Sequence, residues 1–243
     1  MKRNRLSALA ALVFTSIIAA RTAAIDPNDQ LLVPLRVHLL AAKGAPEITT
    51  TLTDKDVRRI LHKINLVWAP AGLHFYQESV VNEEAGNPEV FLAHNEAAER
   101  FGLLALRPEA SKGSMLFHVY YLKQMSVNGI YLGEAIFVKD TAALRTVAGG
   151  IDEPLPRVTS HELGHAFGLP HRQDTTNLMA SGTTGIGLND EEIQHVRERA
   201  KRFDWIESAG AVKRRAEELV RAGKLTEAEL LRRRLAGYPA GEQ

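Results

Sequence analysis

Val33, Leu35, Val37 and Leu39 recur at period two, the spacing of a strand with one face turned to a core. The period then changes. Val57, Ile60, Leu61, Ile64 and Trp68 share one face of a helix, which Thr53 opens with Asp56 three residues on and which Pro70 and Gly72 stop. Leu73 to Val81 reads as a second strand, His94 to Leu106 as a shorter helix or irregular insert, and Met115 to Leu122 as a third strand. Asn128-Gly129 signals a turn, after which Ile130 to Val138 resumes an extended pattern. Strand, long helix and further strands predict an α/β (α+β) fold, a mixed sheet with the helix packed on it.

Later segments are helical. Asn189 and Glu192 have capping-box spacing ahead of Ile193, Val196, Ala200 and Phe203, a second apolar face. Val212 to Ala222 and Thr226 to Leu235 predict two short helices joined at Gly223, the second opened by Thr226 and Glu229. The expected division is a signal peptide over 1–24, a catalytic domain over 25–204 and a helical extension over 205–243. Lys2, Arg3 and Arg5 precede an uncharged run from Leu6 to Ala20, and small residues follow. That is an export signal, and its apolar run is shorter than the ~20 residues of a membrane-spanning helix. The expectation is a secreted or periplasmic protein without a stable membrane anchor. The short stretch between residue 24 and the first helix predicts no propeptide.

Composition narrows the chemistry. The 243 residues contain no cysteine, so thiolate ligands, a Cys nucleophile and disulfides are excluded. With 30 Lys+Arg against 29 Asp+Glu there is no global field for nucleic acid. Lys213 to Arg215 and Arg232 to Arg234 form a basic cluster, but Glu217, Glu218, Glu227 and Glu229 interleave with it, as on a solvated helix surface. The expected partner is a polypeptide substrate, and the expected state a monomer. Loss of residues 1–24 would remove four basic residues and turn the balance of +1 into about −3.

The informative segment starts at Thr159. His161, Glu162, His165, Gly168 and His171 form the pattern HExxHxxGxxH. Four helical residues turn through about 400°, so His161 and His165 project from one face a turn apart and can share a metal. Glu162, about 100° round, falls beside that metal's open position. Gly168 permits a positive φ at which the helix stops, and His171 can then return to the same ion. Three imidazoles with a fourth position open suit a single catalytic Zn²⁺. A shuffled chain of this composition would contain the five fixed residues with probability on the order of 10⁻⁴. Asp140, Asp152 and Glu153 offer carboxylates to calcium, although Asp152 ahead of Glu153-Pro154 reads better as the N-cap of the histidine-bearing helix. Histidines 38, 62, 74, 94, 118 and 195 lack ligand spacing and read as surface or packed residues.

Asn177-Leu178-Met179-Ala180-Ser181-Gly182 follows, with Met179 eight residues after His171. Together with the extended histidine motif this resembles the metzincin zinc metallopeptidases, and the short spacing resembles their matrixin branch. The resemblance covers Ser160 to Gly182. It implies zinc ligands at His161, His165 and His171, a general base at Glu162, the turn glycine at Gly168 and the Met-turn methionine at Met179. It also implies a mostly parallel twisted sheet with an antiparallel edge strand, a backing helix, an active-site helix and a helix after the Met-turn. A substrate strand would lie against that edge, matched here to Tyr131 to Phe137 and centred on Leu132, Gly133, Glu134 and Ala135, and residues 180–188 would wall the pocket just past the cut. The chain departs from the branch at Arg172, where matrixins commonly carry Ser, and Ser181 stands where astacin-like relatives carry Tyr.

The motif implies an exported zinc endopeptidase. Two other readings stay open: a zinc hydrolase of a narrow cell-envelope target, and a zinc-dependent binding module without turnover. Glu162 argues against the last, since a module needing zinc only to fold has no use for a base beside the open position.

Overall fold

The computed structural model describes residues 25–93, 99–112, 115–133 and 135–236. Residues 1–24, where an export signal is expected, and Glu134 lie outside the described residues, as do His94 and its neighbours to residue 98. Strand β1 (Leu31–Ala41) leads to helix α1 (Asp54–Trp68), strand β2 (Leu73–Glu84) and short helices α2 (Pro88–Ala93) and α3 (Glu99–Ala105). Strands β3 (Phe117–Leu122), β4 (Gly129–Leu132) and β5 (Ala135–Lys139) follow, then helices α4 (Pro154–Ala166) and α5 (Asp190–Ala200). Strand β6 (Glu207–Ser208) and helices α6 (Ala209–Arg221) and α7 (Leu225–Arg234) complete the described chain.

Among the described residues the strands form one mixed sheet in the order β2-β1-β3-β5-β4, with β6 on the start of β1. The central pairings are parallel, β4 runs antiparallel to β5, and β6 runs antiparallel to β1. Helices cover both faces, as a parallel sheet requires. On one face Val33, Leu35, Val37 and Leu39 meet Val57, Ile60, Ile64 and Trp68 of α1 and Leu155, Val158 and Leu163 of α4. The other face is also closed. Leu32 packs under α6 and α7 with Ala209, Val212 and Leu231, while Leu40, Tyr120 and Phe137 pack under α3 with Leu103. Period two in β1 therefore marks two buried faces rather than one buried and one wet.

Helix α1 starts as its sequence requires: Thr53 and Asp56 exchange both capping-box bonds, and Asn189 and Glu192 do the same for α5. Three expectations are corrected. The extended run Ile130 to Val138 is a hairpin, folded back at Gly133 with φ +69°, so Tyr131 to Phe137 is not one strand. Within the insert expected over His94 to Leu106, helix α3 at Glu99–Ala105 is the shorter helix that the pattern allowed, and a further short helix, α2, precedes the insert. Helix α4 takes Glu153 as its N-cap, and Asp152 is held 2.7 Å from Lys63 Nζ instead. Glu153 also pairs with Lys63 and Arg59, which accounts for two of the carboxylates considered for calcium. The third, Asp140, accepts from Thr50 and from the Thr51 backbone. Finally, α7 begins one residue early, so Thr226 lies inside the helix and forms no cap. Of the basic cluster, Arg215 and Arg234 pair with Glu207. Among the described residues no helix is long and apolar enough to cross a membrane.

Candidate metal centre and cleft

The site is built on α4, whose residues from Leu155 to Gly164 are all buried. Its end is a Schellman motif: Gly168 N–H donates to the His165 carbonyl and Leu169 N–H to the Gly164 carbonyl, each at 2.9 Å. Gly168 takes φ +88°, a conformation an L side chain would strain, and sends the chain back over the helix. His171 is thereby carried to His161 and His165, and one ring nitrogen from each lies within 4.8 Å of the others. The Nε2 atoms of His165 and His171 are 3.0 Å apart. Tetrahedral zinc with bonds of about 2.05 Å sets its ligand nitrogens roughly 3.3 Å apart, so the spacing suits one ion.

The rings are oriented from behind. His161 Nδ1 bonds the Leu178 carbonyl and His165 Nδ1 the Leu169 carbonyl, both at 2.8 Å. A carbonyl only accepts, so each Nδ1 carries the proton and each Nε2 presents a lone pair to the centre. Burial keeps these imidazoles neutral: His161 is pushed down to about 3 against the opposing bond from Leu178, and His165 is lowered as well. Neutral imidazoles with outward lone pairs are the donor set a borderline divalent metal takes.

Met179 is fully buried beneath them. A Cβ on Gly164 would come within 2.5 Å of Met179 Sδ, so the glycine is what lets the loop of residues 177–180 approach the helix. That loop is pinned by Asn177, whose Oδ1 accepts from Met179 N–H at 2.6 Å, and by Arg172 N–H, which donates to the Met179 carbonyl. Glu192, 1% exposed, ties it to α5 by accepting from Asn177 Nδ2 at 2.8 Å and Arg172 Nε at 2.7 Å. Burial pushes the Glu192 carboxyl up, but the bonds from Asn189, Asn177 and Arg172 outweigh it and hold it below the ordinary range. Arg172, anomalous in the sequence, thus serves as a brace.

Glu162 is 5% exposed and accepts from the backbone N–H of Tyr131 on β4. Burial pushes it up to about 7, while that bond and Arg157 pull the other way. Strand β4 lies directly on α4 here: a Cβ on Gly129 would meet Val158 Cγ1 at 2.5 Å and Glu162 Oε1 at 2.9 Å. The three histidines and Glu162 open onto a cavity of about 570 Å³ whose floor is α4, with β4 along one side and Ser181 and Gly182 on the other. Among the described residues no strand pairs with the outer edge of β4, where Glu162 holds the Tyr131 N–H.

Of the residues expected on the edge strand, Leu132 ends β4, Gly133 is in the turn and Ala135 is buried on the inner strand β5. The cavity instead meets Asn128 to Tyr131. Reasoning from sequence missed Arg157, 2% exposed on the cavity floor. It stands four residues before His161, so the helical spacing that pairs His161 with His165 also places Arg157 on that face.

No protein-family model matches the chain, and no curated protein matches it in sequence. Among solved structures the chain is similar to archaemetzincin from Methanopyrus kandleri, at 17% identity and a TM-score of 0.47 over 70% of this chain and 96% of that one. It is also similar to a chain in the structure of a chaperone–substrate complex, at 12% identity and a TM-score of 0.46, over 72% of this chain and 35% of that one.

Proposed function

We propose that the chain is an exported zinc endopeptidase of the metzincin type, matrixin-like in its histidine and Met-turn spacing. The observation that carries this reading is the pairing of three imidazoles with a buried carboxylate, all facing one cleft beside the last strand of the sheet. His161, His165 and His171 hold the ion. Bound zinc supplies a Lewis acid for the scissile carbonyl and lowers the pKa of water. Glu162, oriented by Tyr131 N–H, takes the proton of the attacking water on its carboxylate and later delivers it to the departing amine nitrogen. An extended peptide aligns along β4 through backbone groups of that strand other than the Tyr131 N–H, which Glu162 holds. Export is supported by the charged, apolar and small-residue order of residues 1–24. The chain acts as a monomer on polypeptide.

Zinc-replete protein is expected to cut an unfolded protein substrate, to stop when the metal is chelated and to resume when zinc returns. Glu162→Gln should lower turnover by about 10²- to 10⁴-fold while one zinc per chain remains bound. Bound zinc with no cleavage of any polypeptide, or cleavage indifferent to Glu162→Gln, overturns the reading.

A further inference from the structure

Arg157 is a buried cation that the proposed chemistry leaves unused. Its Nε donates to the Gly185 carbonyl at 3.1 Å, and its Nη2 donates to the carbonyls of Asn177 and Ala180. These bonds lock the guanidinium against the far wall of the cleft. Among the described residues no acceptor is bonded to Nη1, and Arg157 lines the cavity. The side chain is therefore preorganised, with one amine edge presented to whatever enters.

The charge balance points to an anion. A buried guanidinium without a bonded carboxylate is costly, and wall carbonyls could be held by a neutral donor. Among the described residues Glu162 is the acidic residue lining the cavity, whereas Arg100 adds a second positive charge to its lining. Burial lowers Arg157 to about 10, so it stays charged at neutral pH. Glu162 must reach the departing nitrogen, which puts the departing segment on its side of the histidines. Arg157 lies there, close enough for the two charges to influence one another.

Resting on the peptidase reading, we infer that Arg157 makes the enzyme select a carboxylate side chain, Asp or Glu, in the substrate residue just after the cut. Nη1 donates to that carboxylate from the floor of the cleft, and Leu or Lys at the same position leaves the cation without a partner.

Amidated peptides varied at that one position test this on the zinc enzyme. Asp and Glu are expected to exceed Leu and Lys by about tenfold or more in kcat/KM. Arg157→Met should invert the order toward Leu, which a merely structural loss would not do. Should that variant fail to fold, zinc-loaded Glu162→Gln protein with intact Arg157 still reports by calorimetry, where an Asp peptide is expected to bind about tenfold tighter than its Asn counterpart. A wild-type preference for apolar or basic residues, or equal binding of Asp and Asn peptides, overturns the inference. Preference confined to a parallel set with free C-termini overturns the side-chain assignment in favour of the chain end. If nothing is cut, the peptidase reading falls and the binding measurement alone decides for or against Arg157.

Discussion

Two groups of histidines occupy opposite faces of the sheet, and they differ in what their second ring nitrogen does. In the triad, His161 and His165 bond backbone carbonyls through Nδ1 and leave Nε2 facing a cavity. On the other face His38 and His118, each 1% exposed, bond one another through His38 Nε2 and His118 Nδ1 at 2.8 Å, and His38 Nδ1 bonds Glu83. Tyr120 stacks on His38 with ring centroids 4.2 Å apart, its hydroxyl donating to Ser111. Leu40 and its neighbours close one end of this polar band and Leu32 with α6 and α7 the other. In the triad the second nitrogens face one another across an open space that could take an ion. His38 has spent both nitrogens and serves to join β1, β2 and β3.

The comparison breaks most sharply on substitution. His161→Ala is expected to abolish stoichiometric zinc and turnover together, because two imidazoles do not hold the ion. His118→Ala should leave zinc content intact and lower the unfolding free energy by roughly 2–4 kcal/mol, through the cavity created and the unsatisfied Nε2 of buried His38. Metal analysis and urea denaturation of the two variants check this. Zinc lost from a stable His118→Ala protein would mean that the band supports the metal site.

Acid sharpens the same contrast. Burial, together with the charges of His118, Arg36 and Arg107, pushes His38 down to about 3, below the 6.5 of an unfolded imidazole. The unfolded chain therefore takes a proton that the fold refuses, and stability falls as pH drops from about 6.5 towards 3, by up to about 1.4 kcal/mol per unit. Glu83 works in the opposite sense. Burial raises its carboxyl, so above its unfolded pKa the fold binds that proton first and gains stability as pH falls. Urea midpoints against pH for wild type and His38→Gln isolate the effect, since the triad titrates in both and cancels in the difference. The wild-type curve should be the steeper below pH 6.5, and parallel curves would remove the buried neutral pair.

What was legible in the sequence is what is close along the chain. His161 and His165 are a helical turn apart, Gly168 ends that helix, and both capping boxes span three residues, so each is fixed by local geometry that spacing encodes. His38 and His118 are neighbours only because the register sets His38 opposite Tyr120 on parallel β1 and β3. Nothing in either segment reveals that pairing. The hairpin of β4 and β5 was hidden because an apolar run looks the same whether it continues or folds back, and Gly133 was the single local sign. The N-cap of α4 is Glu153 because Pro154 takes the first helical position, and Lys63, distant in sequence, pairs with both Asp152 and Glu153. Arg157 was readable from its helical spacing, but a histidine motif directs attention to metal ligands alone.

The smallest effect separates local grammar that the two faces obey from grammar they override. Thr53 and Thr226 each precede an acidic residue by three positions and look equivalent in sequence. Only Thr53 accepts from the backbone N–H of residue N3, and Asp56 returns the bond, its carboxyl lowered to about 2 first by the Thr53 hydroxyl and then by Arg59. Helix α7 instead starts at Leu225, with Leu231 packed into the apolar cluster around Leu32, and this leaves Thr226 within the first turn. Thr53→Ala should therefore cost about 1 kcal/mol, the worth of a lost N-cap, and Thr226→Ala less than about 0.5 kcal/mol in either direction. Chemical denaturation of the two single variants measures the difference. Equal losses would show that α7 starts at Thr226 in solution, and that the packing of the helical hairpin on the sheet does not decide where the helix begins.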